Sequence, residues 1–319
     1  FERSPGRRQT AAMRRWLRAR GVLLALVLGA VPWWRYALHV ADGMTSPRNG
    51  SRPPVPVPPD VDHHLRVEVG PPDATLDVWV LDAAEEDVRP DAPVDTVLLL
   101  HGISDRKETM KGLGERFRRA GLRAVLVDLR GHGQSSAVRL GFGAHETRDL
   151  AQVLDRLDTE GLGPGRVGVY GPSYGAAIAL QLAATEPRVV RTFAAGGVSS
   201  FEALARPTLD NVWGGLGPLL PDALTRYLVR RAASAGGFRP ADASPLAAAP
   251  AIRSRVLMAH GTEDQLLPFA QAEAVARACA RHCELVALEG ADHHGSLGGP
   301  VVRERSFRLF TGRSYGQTP

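Results

Sequence analysis

The chain has 319 residues, 44% of them hydrophobic and 23% charged, which is enough length and apolar content for one large α/β domain or two small ones. Its net charge of +5 is uneven: residues 1–60 carry ten Arg against Glu2, Asp42 and Asp60, a balance of +7, while the rest holds 29 basic and 31 acidic residues, a balance of −2. A folded part without basic excess has nothing to draw a phosphate backbone, so nucleic acid is excluded as an expected partner.

Residues 1–12 precede Met13 and are set aside from the fold. From Met13, MRRWLRAR is followed by GVLLALVLGAV, a cationic stretch and then an apolar one, the pattern of a signal peptide or uncleaved signal-anchor over 13–45. The uncharged run Gly21–Trp34 is shorter than the roughly 20 residues a spanning helix needs, and Trp33-Trp34 suits a bilayer interface. The alternative is a buried amphipathic helix. The targeting reading predicts a secreted or membrane-anchored, extracytoplasmic protein, with membrane association through this segment. SPRNGSRPPVPVPPD, residues 46–60, is expected to be an extended linker, or else an irregular arm, ahead of a domain over 61–319.

The domain opens with LRVEVG (65–70) and LDVWVLDA (76–83), which read as an antiparallel hairpin. TVLLLHG (96–102) is a wholly apolar run closed by glycine, as expected of a strand buried on both faces. ETMKGLGERFRRAG has helical periodicity and ends at Gly121; LRAVLVDLRGHG is the next strand and HETRDLAQVLDRLDTEG the next helix. RVGVYG enters a turn at Ser173, AAIALQLAATE continues as helix, and RTFAAGG resumes as strand. Residues 201–250, rich in Gly and Pro and without a strong strand, read as a helical insertion over the sheet. RVLMAHG (255–261), FAQAEAVARACARH, CELVALEG and a helix around Arg303–Phe310 complete an alternation that predicts a mostly parallel sheet with helices on both faces. Cys279 and Cys283, four residues apart, leave two readings open: a local disulfide at a helix end or two buried thiols. No further thiol or histidine pair stands at ligand spacing, so no metal site is expected.

Gly171-Pro172-Ser173-Tyr174-Gly175 is a weak pattern by itself in a chain with 34 glycines. Its position between an apolar strand and a helix is what gives it chemical meaning. A strand–turn–helix junction holds the serine in a strained conformation, exposes its hydroxyl at the carboxyl end of a central strand, and needs residues without Cβ on either side.

Five blocks in this order, LLLHG, VDLRGHGQS, GVYGPSYGAA, MAHGTEDQLLP and LEGADHH, resemble the α/β-hydrolase-fold serine hydrolases, most of all their esterase and prolyl-oligopeptidase-like members, over about residues 65–312. The resemblance implies an α/β-hydrolase fold: a mostly parallel twisted sheet with a small helical cap at 201–250. It also implies a Ser–acid–His order, with Ser173 as nucleophile, Asp264 as acid (Glu263 being the alternative) and His293 as base, with His294 in reserve. Oxyanion donors are expected at the backbone amides of Tyr174 and Ile103, and His101 and His132 are expected to support the loops. No metal or organic cofactor is implied. The expected reaction is cleavage of a small-molecule carboxylic ester through an acyl-enzyme. The alternatives are a peptidase or acyltransferase of the same fold, or a catalytically silent binding module. The apolar residues Val212, Trp213, Leu216, Leu219 and Leu220 of the cap suit an acyl chain or serve as cap packing.

Overall fold

A computed structural model describes residues 31–49, 53–211 and 221–316. The described residues contain an eight-stranded sheet of order β1-β2-β4-β3-β5-β6-β7-β8. Strands β1 (His63–Val69) and β2 (Ala74–Leu81) form the expected hairpin, and β2 pairs antiparallel with β4 (Arg123–Asp128). From there every pairing is parallel, through β3 (Thr96–Leu99), β5 (Val167–Pro172), β6 (Val189–Ala195), β7 (Arg255–Gly261) and β8 (Cys283–Leu288).

Strand side chains alternate between two cores because successive Cβ atoms leave opposite faces. Leu98 and Leu100 enter a core completed by α3 (Glu146–Thr159), α4 (Tyr174–Thr185) and α8 (Phe269–Cys279), whereas Val97 and Leu99 meet α2 (Lys111–Arg119) and the C-terminal helix α9 (Pro300–Thr311) through Phe117, Phe307 and Phe310. Burial on both faces explains the uninterrupted apolar runs of the central strands.

The insertion after β6 supplies α5 (Phe201–Asn211), α6 (Asp222–Ala235) and a short turn of helix, α7 (Pro245–Ala248). An aromatic cluster of Phe142, Phe201 and Phe238 joins this cap to the loop before α3. The apolar cap residues Val212, Trp213, Leu216, Leu219 and Leu220 lie outside the described residues.

The second half of the segment expected to target the chain is also placed. Residues 31–44 are helical (α1), and Ala37, Ala41 and Met44 are buried in the same core as Leu228, Val229 and Ala232 of α6. Trp34 stacks on Tyr227 at 5.8 Å and Asp42 pairs with Arg231 at 2.8 Å. The start of the proline-rich stretch continues across the domain, where the Asn49 amide donates to the carbonyls of His132 (3.1 Å) and Ser135 (2.6 Å). Residues 13–30 lie outside the described residues, and no helix among those described is long and apolar enough to cross a membrane. Of the two readings of the cysteines, the disulfide is the one found, tying the end of α8 to the start of β8.

Candidate active site

The site assembles at the carboxyl ends of β3, β5, β7 and β8. Ser173 stands between β5 and α4 with φ 49° and ψ −110°, a left-handed conformation that a residue with a side chain adopts only when its surroundings impose it. The surroundings are the close approach of strand and helix. A Cβ on Gly171 would lie 2.2 Å from the Gly175 carbonyl oxygen, and one on Gly175 would lie 2.8 Å from that of His101. Both glycines are therefore required by contact, and the turn pushes the serine hydroxyl outward.

The Ser173 hydroxyl donates to Nε2 of His293 at 3.1 Å, and Nδ1–H of His293 donates to Oδ2 of Asp264 at 2.8 Å, the tautomer this chain of bonds selects. Asp264 is fully buried in its side chain, while His293 keeps a rim of exposure. The other oxygen of Asp264 accepts the amides of Leu266 (3.0 Å) and Leu267 (2.8 Å), so the carboxylate is fixed from both sides. The loop carrying His293 is pinned beneath by buried Ser296, whose hydroxyl donates to Asp292 O and accepts from Gly261 N–H, both at 2.8 Å. Glu263 and His294 are exposed, and neither joins this chain of bonds.

Tyr174 is the first residue of α4, so its N–H has no acceptor within the helix and is free for a ligand. Gly102 approaches Ser173, 4.0 Å separating a Cβ on Gly102 from that of Ser173, and Ile103 is the next residue of that loop. The Tyr174 side chain turns away from the site, its hydroxyl donating to Oε1 of Glu146 at 2.8 Å; burial first, then that carboxylate, hold its pKa far above the usual phenol value.

His101 and His132 support loops, as expected. Nε2 of His101 accepts the Leu129 amide at 3.1 Å and its Nδ1–H donates to Gly102 O at 2.8 Å. His132 Nδ1–H donates to Arg130 O at 3.0 Å, and burial together with the neighbouring His101 pushes its pKa down to about 3.

Three groups around the site escaped the sequence reading. His260, buried at the end of β7, donates from Nε2 to Leu267 O at 2.7 Å and lies 3.2 Å from Oδ2 of Asp264; its signal was its place in the MAHGTED block itself. Lys107 is fully buried with its ammonium 2.7 Å from Asp128, 2.8 Å from Asp77 and 4.5 Å above the Trp79 ring. Burial alone would lower its pKa, but the two aspartates outweigh it and raise it. Its backbone amide also donates to Asp128 at 2.7 Å, so Lys107 fastens the loop containing Ile103 to the end of β4. Its only signal was being one of two lysines in an arginine-rich chain. Glu146 accepts the amides of Gly141 and Gly143, each at 2.7 Å, and anchors the loop before α3 behind Tyr174; no feature of the sequence set it apart.

A family model described as the alpha/beta hydrolase family matches residues 97–302. The uncharacterized protein YqkD of Bacillus subtilis is 29% identical over 189 residues, which cover 58% of this chain and 60% of that protein. A probable proline iminopeptidase of Streptomyces coelicolor is 33% identical over 135 residues, 41% of this chain and 40% of its own length. The chain thus spans about three-fifths and two-fifths of these relatives. Among solved structures, the Pyrococcus furiosus esterase Pf2001 superposes with a TM-score of 0.57 at 21% identity, covering 78% of this chain and 91% of the esterase, a likeness of fold.

Proposed function

Since the chain belongs to the alpha/beta hydrolase family, we propose that it is a serine hydrolase that cleaves carboxylic esters of small molecules through an acyl-enzyme. The observation that carries this reading is the unbroken chain of bonds from Ser173 Oγ through His293 to buried Asp264, set at a strained strand–helix junction. In the first half-reaction Ser173 Oγ attacks the ester carbon while His293 Nε2 takes its proton. The tetrahedral oxyanion is held by the amides of Tyr174 and Ile103, and the imidazolium is stabilised by Asp264. Collapse expels the alcohol, which leaves with the proton from His293. A water then repeats the sequence on the acyl-serine, and Ser173 recovers its proton as the acid departs. The bystander positions of Glu263 and His294 support Asp264 and His293 as the acid and base.

An amide would pass through the same steps, and the similarity to a probable proline iminopeptidase favours peptidase action as the second reading. The test is hydrolysis of p-nitrophenyl esters from acetate to palmitate, beside N-acyl p-nitroanilides, by the intact chain and by Ser173→Ala. Ester turnover that falls by about 10⁴-fold or more in the variant is expected from loss of the nucleophile. Turnover of the anilides alone would transfer the assignment to peptidase action. Inertness towards both substrates and towards a fluorophosphonate probe would overturn the hydrolytic reading of this serine.

A further inference from the structure

Among the described residues, nothing covers the outer side of helix α1. Ala37, Ala41 and Met44 point inward; Arg35, Tyr36 and His39 are exposed on its flanks, and Trp33, one turn before Ala37 on the same stripe, is exposed where the helix begins. Trp33 is 53% exposed, Tyr36 52% and Val31 44%; Tyr227 of α6, stacked on Trp34, is 45% exposed. These are four of the ten large apolar side chains exposed among the described residues, gathered on two adjacent helices. Arg226 and Arg230 of α6 are exposed as well. The carboxylates there, Asp42 and Asp222, are already engaged by Arg231 and by Arg206 and Arg226, so the charge left on this face is cationic. The chain outside the described residues reaches the domain at this point: uncharged GVLLALVLGA, residues 21–30, runs directly into Val31, and MRRWLRAR before it contributes four arginines.

From this we infer that the end of the domain where α1 and α6 begin side by side seats on the surface of an anionic phospholipid bilayer, with Trp33, Tyr36 and Tyr227 at headgroup depth and Arg35 and Arg230 against the phosphates. Tryptophan and tyrosine suit that level because one end of each ring system is apolar and the other wet, and cations beside them gain from the negative surface potential. Because α1 packs on α6 of the cap, this contact fixes the orientation of the whole hydrolase domain on the bilayer.

The test uses the intact chain with an environment-sensitive NBD fluorophore on Ala223→Cys, an exposed position of α6 far in sequence from the apolar run; the native cysteines are in the disulfide and take no label. With vesicles of phosphatidylcholine and phosphatidylglycerol, the label is expected to brighten severalfold and to be quenched by nitroxide-bearing lipid, more on these than on neutral vesicles. A label on Val88→Cys, exposed on the segment between β2 and β3, stays unchanged. Vesicle co-flotation without any change at position 223 would place this face in water and overturn the inference, as would failure to co-float at all. Brightening that follows protein concentration without vesicles would assign the face to a second copy of the chain instead. Equal brightening on neutral vesicles would remove the anionic preference.

Discussion

Glu263 and Asp264 illustrate how adjacent residues acquire different fates from their backbone surroundings. Asp264 turns inward to two amides and two imidazoles, whereas Glu263 one residue earlier is exposed. The corresponding expectation is a fall in ester kcat of about 10²–10⁴-fold for Asp264→Asn, since the amide no longer holds the His293 tautomer. Glu263→Gln and His294→Ala should stay within about twofold of the parent, because surface changes away from bonded networks perturb little. Steady-state kinetics on a single p-nitrophenyl ester checks all three. His132 gives a pH expectation. Its pKa is about 3 in the folded protein and near 6.5 when unfolded, so above 6.5 both states are neutral. As pH falls below 6.5 the unfolded state takes up a proton that the folded state refuses, and stability declines by about 1.4 kcal/mol per pH unit until pH nears 3. Urea midpoints measured from pH 7 to pH 4 should therefore fall more steeply for the parent than for His132→Asn.

Among the elements, the loop from β3 to α2 depends most on a buried charge. Lys107→Met would leave Asp77 and Asp128 buried without their common cation and is expected to cost about 3–5 kcal/mol, read by urea unfolding. Lys107→Arg should recover part of that loss if the ion pairs, rather than the packing of the stem, set the value. The elements themselves were largely legible. A strand buried on both faces must be apolar throughout, so β3, β4, β5 and β7 stand out, and the blocks at their carboxyl ends carry Ser173, Asp264 and the loop of Ile103. What lay beyond the sequence was side-chain partnership at long range. Nothing local tells Lys107 apart from a solvated lysine, because Asp77 and Asp128 meet it only once β2 and β4 pair, and Tyr174 meets Glu146 only once α3 and α4 pack together. Helix α1 was obscured differently: the apolar run that precedes it reads equally as a targeting core and as the start of a packed helix, and its partner α6 comes nearly 190 residues later.

On the scale of the molecule, α1 and the strap that follows it are integral to the hydrolase domain. Removing residues 1–49 would uncover the α6 surface under Ala37, Ala41 and Met44 and release the carbonyls held by Asn49. Such a truncation is expected to lose about 2–3 kcal/mol of apolar burial and so roughly 4–5 °C in Tm, measured by scanning calorimetry. The burial of Lys107 has a practical corollary at the same scale. The chain has two lysines, and with one sealed in the core, Lys111 at the start of α2 is the single lysine side chain with any exposure. Amine-directed coupling to a surface or dye would therefore join the protein through Lys111 or the amino terminus alone. Because Lys111 is a single fixed point on α2, molecules immobilised through it would face the solution in nearly uniform attitude.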